Sequence, residues 1–176
     1  MSTRKLALLA LLSALVAVAT WVIRIPIPAT KGYINLGDSM IFVSALLFGG
    51  LIGGIAGGVG SALADLLGGY ANWAIPTLII KGLEGLLVGS LFQLTRRNMA
   101  QKAGVYLSLP ILVLGGLWMV TGYFLVEVFL YGWGAATVEI PGNLFQALSG
   151  LVIAIPVAAA LTRSGITEHF SEDQRP

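Results

Sequence analysis

The sequence predicts an all-α integral membrane protein, a bundle of six transmembrane helices with the N- and C-termini both cytoplasmic. Three observations lead there. Of 176 residues, 57% are hydrophobic and 10% charged, against roughly 25% charged in an ordinary soluble domain. Mean hydropathy is +0.90, which leaves more apolar surface than a core of this size could hide. The apolar residues fall in runs near the ~20 residues that cross a bilayer as helix, with Lys and Arg gathered in alternate connections.

The first run is 6–23, preceded by Arg4 and Lys5. Ala17, Val18 and Ala19 resemble a signal-peptide cleavage site. The apolar stretch is longer than the roughly 7–15 residues of a signal core, however, and Trp21, Val22 and Ile23 continue past the supposed cut. An uncleaved helix is expected. Residues 24–37 carry Pro26, Pro28, Lys31, Gly32 and Asn35 and read as a loop. Residues 39–67 are too long for one span, and the glycine cluster 49–54 offers a break, giving helices at 38–51 and 53–69. A turn at 68–73 leads to a fourth helix at 74–94, and 95–104 is polar and basic. The fifth helix is expected at 105–130, delayed or kinked by Pro110. Residues 131–142 read as a loop, 143–161 as a sixth helix bent near Pro156, and 162–176 as a polar tail. The domain reading is one six-helix unit over 1–163 with a cytoplasmic tail at 164–176.

Charge tests the count. With six spans, Arg4, Lys5, Arg96, Arg97, Lys102, Arg163 and Arg175 face inward, and only Arg24 and Lys31 face outward. One helix over 38–69 would put Arg96, Arg97 and Lys102 outside. Tyr33, Tyr70, Trp73, Tyr131 and Trp133 then form an aromatic belt at the outer boundary.

Several chemistries are excluded. There is no cysteine, and the only histidine, His169, lies in the tail. A thiolate nucleophile, a Cys-ligated metal and an intramembrane Ser–His pair are therefore absent. No metal or cofactor is expected. No P-loop occurs, so any ATPase is another chain. The net charge of +2 reads as topology signal, with no nucleic acid as partner.

The polar residues inside the spans are few and one-sided. Asp38 opens the second helix, and Asp65 closes the third. Lys81 and Glu84 lie mid-way along the fourth, Glu127 near the outer end of the fifth, and Asn143 and Gln146 at the start of the sixth. A mid-membrane charge costs at least about 2.5–3.5 kcal/mol, so this clustering suggests a polar cavity open to the outside. Structural roles compete at each position. Asp38 and Asn143 can cap helices, and Lys81 and Glu84, three apart, can pair with each other. Asp65 and Glu127 can pair with Arg24 or Lys31, Gln146 can bond between helices, and Trp118 and Tyr123 can pack or stack a ring. The glycines at 49, 53 and 57, at 50, 54 and 58, and at 85 and 89 recur every four residues, as close-packed membrane helices require.

Three segments together resemble the substrate-binding S components of energy-coupling factor (ECF) vitamin transporters, most of all the riboflavin-type subfamily. They are Lys31-Gly32-Tyr33-Ile34-Asn35-Leu36-Gly37-Asp38, Ser61-Ala62-Leu63-Ala64-Asp65-Leu66-Leu67-Gly68-Gly69-Tyr70 and Lys81-Gly82-Leu83-Glu84-Gly85. The resemblance spans roughly 5–163 and implies a vitamin pocket near the outer face, closed by the loop between the first two helices. It implies as partners a transmembrane coupling protein and two ABC-type ATPases, the coupling protein docking on a small-residue motif that Ala10 and Ala14 match. It also implies transport by toppling of the subunit within the prokaryotic cell membrane. The candidate binding residues are then Tyr33, Asn35, Asp38, Asp65, Lys81, Glu84, Trp118, Tyr123, Glu127, Asn143 and Gln146. Four acids against one intramembrane lysine favour a neutral or donor-rich ligand over an anion: riboflavin, a thiamine precursor or a pyridoxine-type vitamin. The competing readings are a small exporter or channel unrelated to ECF, an aspartyl membrane enzyme built on Asp38 and Asp65, and a purely structural subunit.

Overall fold

A computed structural model describes residues 2–98 and 108–164 and, among these, all side chains but those of 97 and 98. Lys102, His169, Arg175, most of the tail and the expected helix start at 105–107 lie outside the described residues. The chain runs α1 (Thr3–Val22), β1 (Ile25–Ile27), β2 (Gly32–Ile34), α2 (Gly37–Phe48), α3 (Gly50–Gly68), α4 (Ala74–Asn98), α5 (Leu109–Tyr131) and α6 (Trp133–Arg163). All six expected helices are present, and five are long and apolar enough to cross a membrane. Pro110 stands in the first turn of α5, where its missing N–H costs nothing.

The sixth helix is α2, with 12 residues. At 1.5 Å per residue it covers about 18 Å of a hydrocarbon core about 30 Å thick. Its far end is fixed by Gly49, whose φ of +88° is a conformation that side chains rarely adopt. The space before its near end is filled by the β1–β2 hairpin, read from sequence as plain loop. The hairpin is antiparallel, pairing Ile25 with Ile34, Pro26 with Tyr33 and Ile27 with Gly32. Three-residue strands carry too little alternation to be read from sequence.

α2 packs against α1, α3, α4 and α6, so it runs through the middle of the bundle. The closest pair is α3 and α4. A Cβ on Gly54 would lie 2.9 Å from Gly82 O, and one on Gly58 would lie 2.7 Å from Leu78 O. The glycine ladders thus bring two backbones into contact, as membrane helices do when no hydrophobic force separates protein from lipid.

The expected loop at 131–142 is not one. Only Gly132, at φ +84°, interrupts the helices, and α6 continues through Pro141. A single proline near a helix end leaves one carbonyl without its usual partner, which a membrane helix tolerates. Asn143 consequently sits ten residues into α6 and caps nothing.

Candidate ligand-binding site

At the hairpin end, α1, the hairpin, α3, α4, α5 and α6 enclose a cavity of about 20 Å³. Seven of the sequence candidates reach its wall: Tyr33, Asn35, Asp65, Lys81, Tyr123, Asn143 and Gln146. Below it lies a charged cluster. The Lys81 ammonium contacts Asp38 and stands 3.3 Å from Glu84 Oε2, with all three side chains at most 2% exposed. Gln146 Nε2 lies 3.3 Å from each Asp38 oxygen, and its Oε1 accepts the Asn35 backbone N–H at 2.8 Å. Asn35 Oδ1 in turn accepts Gly37 N–H at 2.8 Å. Asp38 therefore does not cap α2 but holds Lys81 and Gln146, and Lys81 bridges two acids instead of pairing with Glu84 alone. Such an arrangement is costly to break, because removing one partner strands a buried charge.

Each group is positioned by a local feature of the chain. Lys81 and Glu84 share one face of α4 by their three-residue spacing. Glu139, Asn143 and Gln146 follow at four and three residues along α6 and line one face of it. The short α2 and the hairpin above it place Asn35 and Asp38 deep in the bundle.

The upper wall is tied to the hairpin. Tyr33 donates its hydroxyl to Asp65 Oδ1 at 2.6 Å. Burial and the neighbouring Asp65 charge push the Tyr33 phenol well above the usual tyrosine range, so it remains a donor at any physiological pH. Arg24 donates to Gly68 O at 3.4 Å and lies over the rings of Trp21 and Tyr33, so it pairs with neither Asp65 nor Glu127. Tyr123 donates to Thr77 Oγ1 at 3.1 Å and stands 5.7 Å from the Trp73 ring.

Four candidates stand off the wall. Asp38 and Glu84 lie behind Lys81. Glu127 faces Glu139 and Asn143. Trp118 is 39% exposed and donates to Ile80 O, away from the cavity.

Sequence reading missed Thr20, Gly32, Ser61, Trp73, Thr77 and Glu139, all in the wall. Trp73 does not join the aromatic belt: it is 3% exposed and donates to Thr30 O at 3.3 Å. Glu139 was hidden in the supposed loop, and it raises the buried acids to five. A helical reading of 133–142 would have aligned it with Asn143 and Gln146.

Several polar atoms of the wall lack hydrogen-bond partners: Thr20 Oγ1, Ser61 Oγ, Asp65 Oδ2 and Glu139 Oε2. A buried unmet polar group costs about 1–3 kcal/mol, so these four atoms around one space are candidate contacts for a ligand. All are acceptors or hydroxyls. The larger grooves, about 440 Å³ between α3 and α4 and about 250 Å³ between α5 and α6, are lined by aliphatic and glycine residues alone and offer no side-chain polar group to orient a ligand.

The family of ECF-type riboflavin transporter S components matches residues 1–163 of this chain. The chain is an S component of the ECF type. Among curated proteins, it is 37% identical over 168 residues to the thiamine precursor transporter HmpT of Lactococcus lactis subsp. cremoris, covering 95% of this chain and 93% of that one. It is also 49% identical over 138 residues to a Pyrococcus woesei protein known as "Uncharacterized protein in gap 3'region", covering 78% and 88%. As an S component it is a multi-pass membrane protein and a transporter subunit, not an enzyme. That removes both the unrelated exporter or channel and the aspartyl enzyme.

Proposed function

We propose that this S component captures a small, donor-rich nitrogen heterocycle, a thiamine precursor of the aminopyrimidine kind, from outside the cell. The observation that carries the reading is the cavity wall, whose unmet polar atoms are acceptors and hydroxyls. An amino group, a ring N–H or a hydroxymethyl group supplies what those atoms lack. The name of the Lactococcus relative, a thiamine precursor transporter, supports the same class. Riboflavin is the second reading, favoured by the name of the matching family. Cavity size favours the smaller ring. Ligand sites run to roughly 300–1,000 Å³, so the hairpin has to lift to admit either.

The binding set is Tyr33, Asn35, Asp65, Lys81, Tyr123, Asn143 and Gln146, with Asp38, Glu84 and Glu127 holding them from behind. Trp118 leaves the set because it faces away from the cavity. The partners are a transmembrane coupling protein and two ABC-type ATPases, in the prokaryotic cytoplasmic membrane. Ala10 and Ala14 are exposed one turn apart on α1 and supply the docking stripe. Arg4, Lys5, Arg96 and Arg163 lie at the end away from the hairpin, which supports a cytoplasmic location for that end by the positive-inside rule. Toppling of the whole bundle on the coupling protein then turns the cavity inward.

The test is thermal-shift binding of the purified protein against 4-amino-5-hydroxymethyl-2-methylpyrimidine, riboflavin and pyridoxine. A ligand that binds only the folded protein raises its melting temperature as concentration exceeds Kd. A large shift with the pyrimidine supports the first reading and one with riboflavin the second. No shift with any of the three overturns both.

A further inference from the structure

The two ends of the cavity differ in charge balance. At its deep end, Lys81 meets Asp38 and Glu84. At its hairpin end stand Asp65, Glu127 and Glu139, and among the described residues none of these acids forms an ion pair. Glu139 is 4% exposed, reaches the cavity wall and keeps Oε2 without a partner. Its other oxygen lies beside the hairpin. A Cβ on Gly32 would come within 3.2 Å of Glu139 Oε1, 3.2 Å of Thr30 Oγ1 and 3.5 Å of Trp73 Nε1. Glycine at 32 thus leaves room for three polar groups to converge where the hairpin meets α6. Glu127, from α5, faces Glu139 and Asn143. The one nearby guanidinium, Arg24, is committed to Gly68 O and to two aromatic rings.

We infer that Glu139, positioned by Glu127 and Asn143, is a specificity-determining acceptor that selects unphosphorylated heterocycles bearing an amino, ring N–H or hydroxyl donor. The inference rests on the capture reading above and deepens it. A donor at the hairpin end satisfies Glu139 Oε2. A phosphate there would face up to three buried acids, while the one ammonium in the wall, Lys81, is already held by Asp38 and Glu84, and like charges juxtaposed in a desolvated site reject a ligand strongly. The subunit then imports the free vitamin precursor and leaves its phosphate esters outside, so phosphorylation of the captured compound must follow entry.

The experiment titrates the purified full chain with 4-amino-5-hydroxymethyl-2-methylpyrimidine and with riboflavin, each against its own phosphomonoester, by calorimetry. Wild type is expected to bind one free compound at least 100-fold more tightly than its ester. Glu139→Gln is expected to weaken the free compound about tenfold and to narrow that ratio below tenfold, with the ligand-free melting temperature within a few degrees of wild type. If Glu139→Gln fails to fold, Glu127→Gln is expected to narrow the same ratio by a smaller factor. An unchanged ratio in a folded variant, or an ester that binds wild type as well as the free compound, overturns the subsite and leaves vitamin capture standing. Wild type binding none of the four compounds overturns the capture reading and the subsite with it.

Discussion

The half of the bundle around the hairpin and the half toward the termini are built on different physics. Toward the termini, Phe42, Leu46, Val88, Phe92, Leu112 and Ala158 form a dry cluster among α2, α4, α5 and α6. Lipid is as apolar as these side chains, so what holds them together is shape and close contact. Around the hairpin, buried carboxylates, one ammonium and three amides face one small cavity. There each group is costly alone and acceptable only through its partners. One half is insured by packing and the other depends on a few specific bonds, so the same perturbation should act differently on each.

The largest effect expected is at Lys81. Lys81→Met strands Asp38 and Glu84 and should cost about 3–5 kcal/mol of stability, the usual penalty for breaking a buried pair. Both the melting temperature in detergent and vitamin binding should collapse. A near-normal melt would mean that the acids do not depend on Lys81. Next is Phe42→Ala in the dry half. The water-transfer contribution is absent in lipid, so the cavity alone should cost about 2–3 kcal/mol, with ligand affinity unchanged. A fall in affinity would show that the halves are mechanically coupled. Tyr33→Phe removes the hydroxyl that reaches Asp65 and should weaken ligand binding by about 1.5 kcal/mol, the low end for a bond to a charged group. Because the Tyr33 phenol is held above its ordinary range, wild-type affinity should show no step near pH 10; a step there would remove Tyr33 as a donor. The smallest effect on the isolated protein is expected from Ala14→Leu. It should leave both melt and affinity intact and abolish uptake in cells with the ATPases and coupling protein. Normal uptake would place docking elsewhere than α1.

The dry half was more legible in sequence than the polar one. Helix number followed from run length, and a break within the glycine cluster 49–54 from its composition, though it falls at Gly49 and not between the expected helices 38–51 and 53–69. The acids of α2 to α5 and Lys81 stood out because charge inside an apolar run is rare. What sequence concealed were features whose meaning is tertiary. Trp73 was placed by its type in a belt, yet it turns inward because Thr30 O offers its N–H a partner. Glu139 was lost when 131–142 was read as a loop. The hairpin was missed because its strands exist only through pairing with each other and through ties to α3, α4 and α6.

The brevity of α2 has a consequence for how the chain enters the membrane during synthesis. Twelve residues, with Asp38 in the first turn, give the insertion machinery a segment too short to partition into lipid by itself. α3 follows after a single glycine, is long enough to span and carries no charge in its first 15 residues. The two therefore insert together, as one helical hairpin, with Asp38 exposed to water or to the translocation channel until Lys81 arrives on α4. Assembly of the charged cluster is thus the event that retains α2 in the bilayer, and it cannot be completed until the fourth helix has been made.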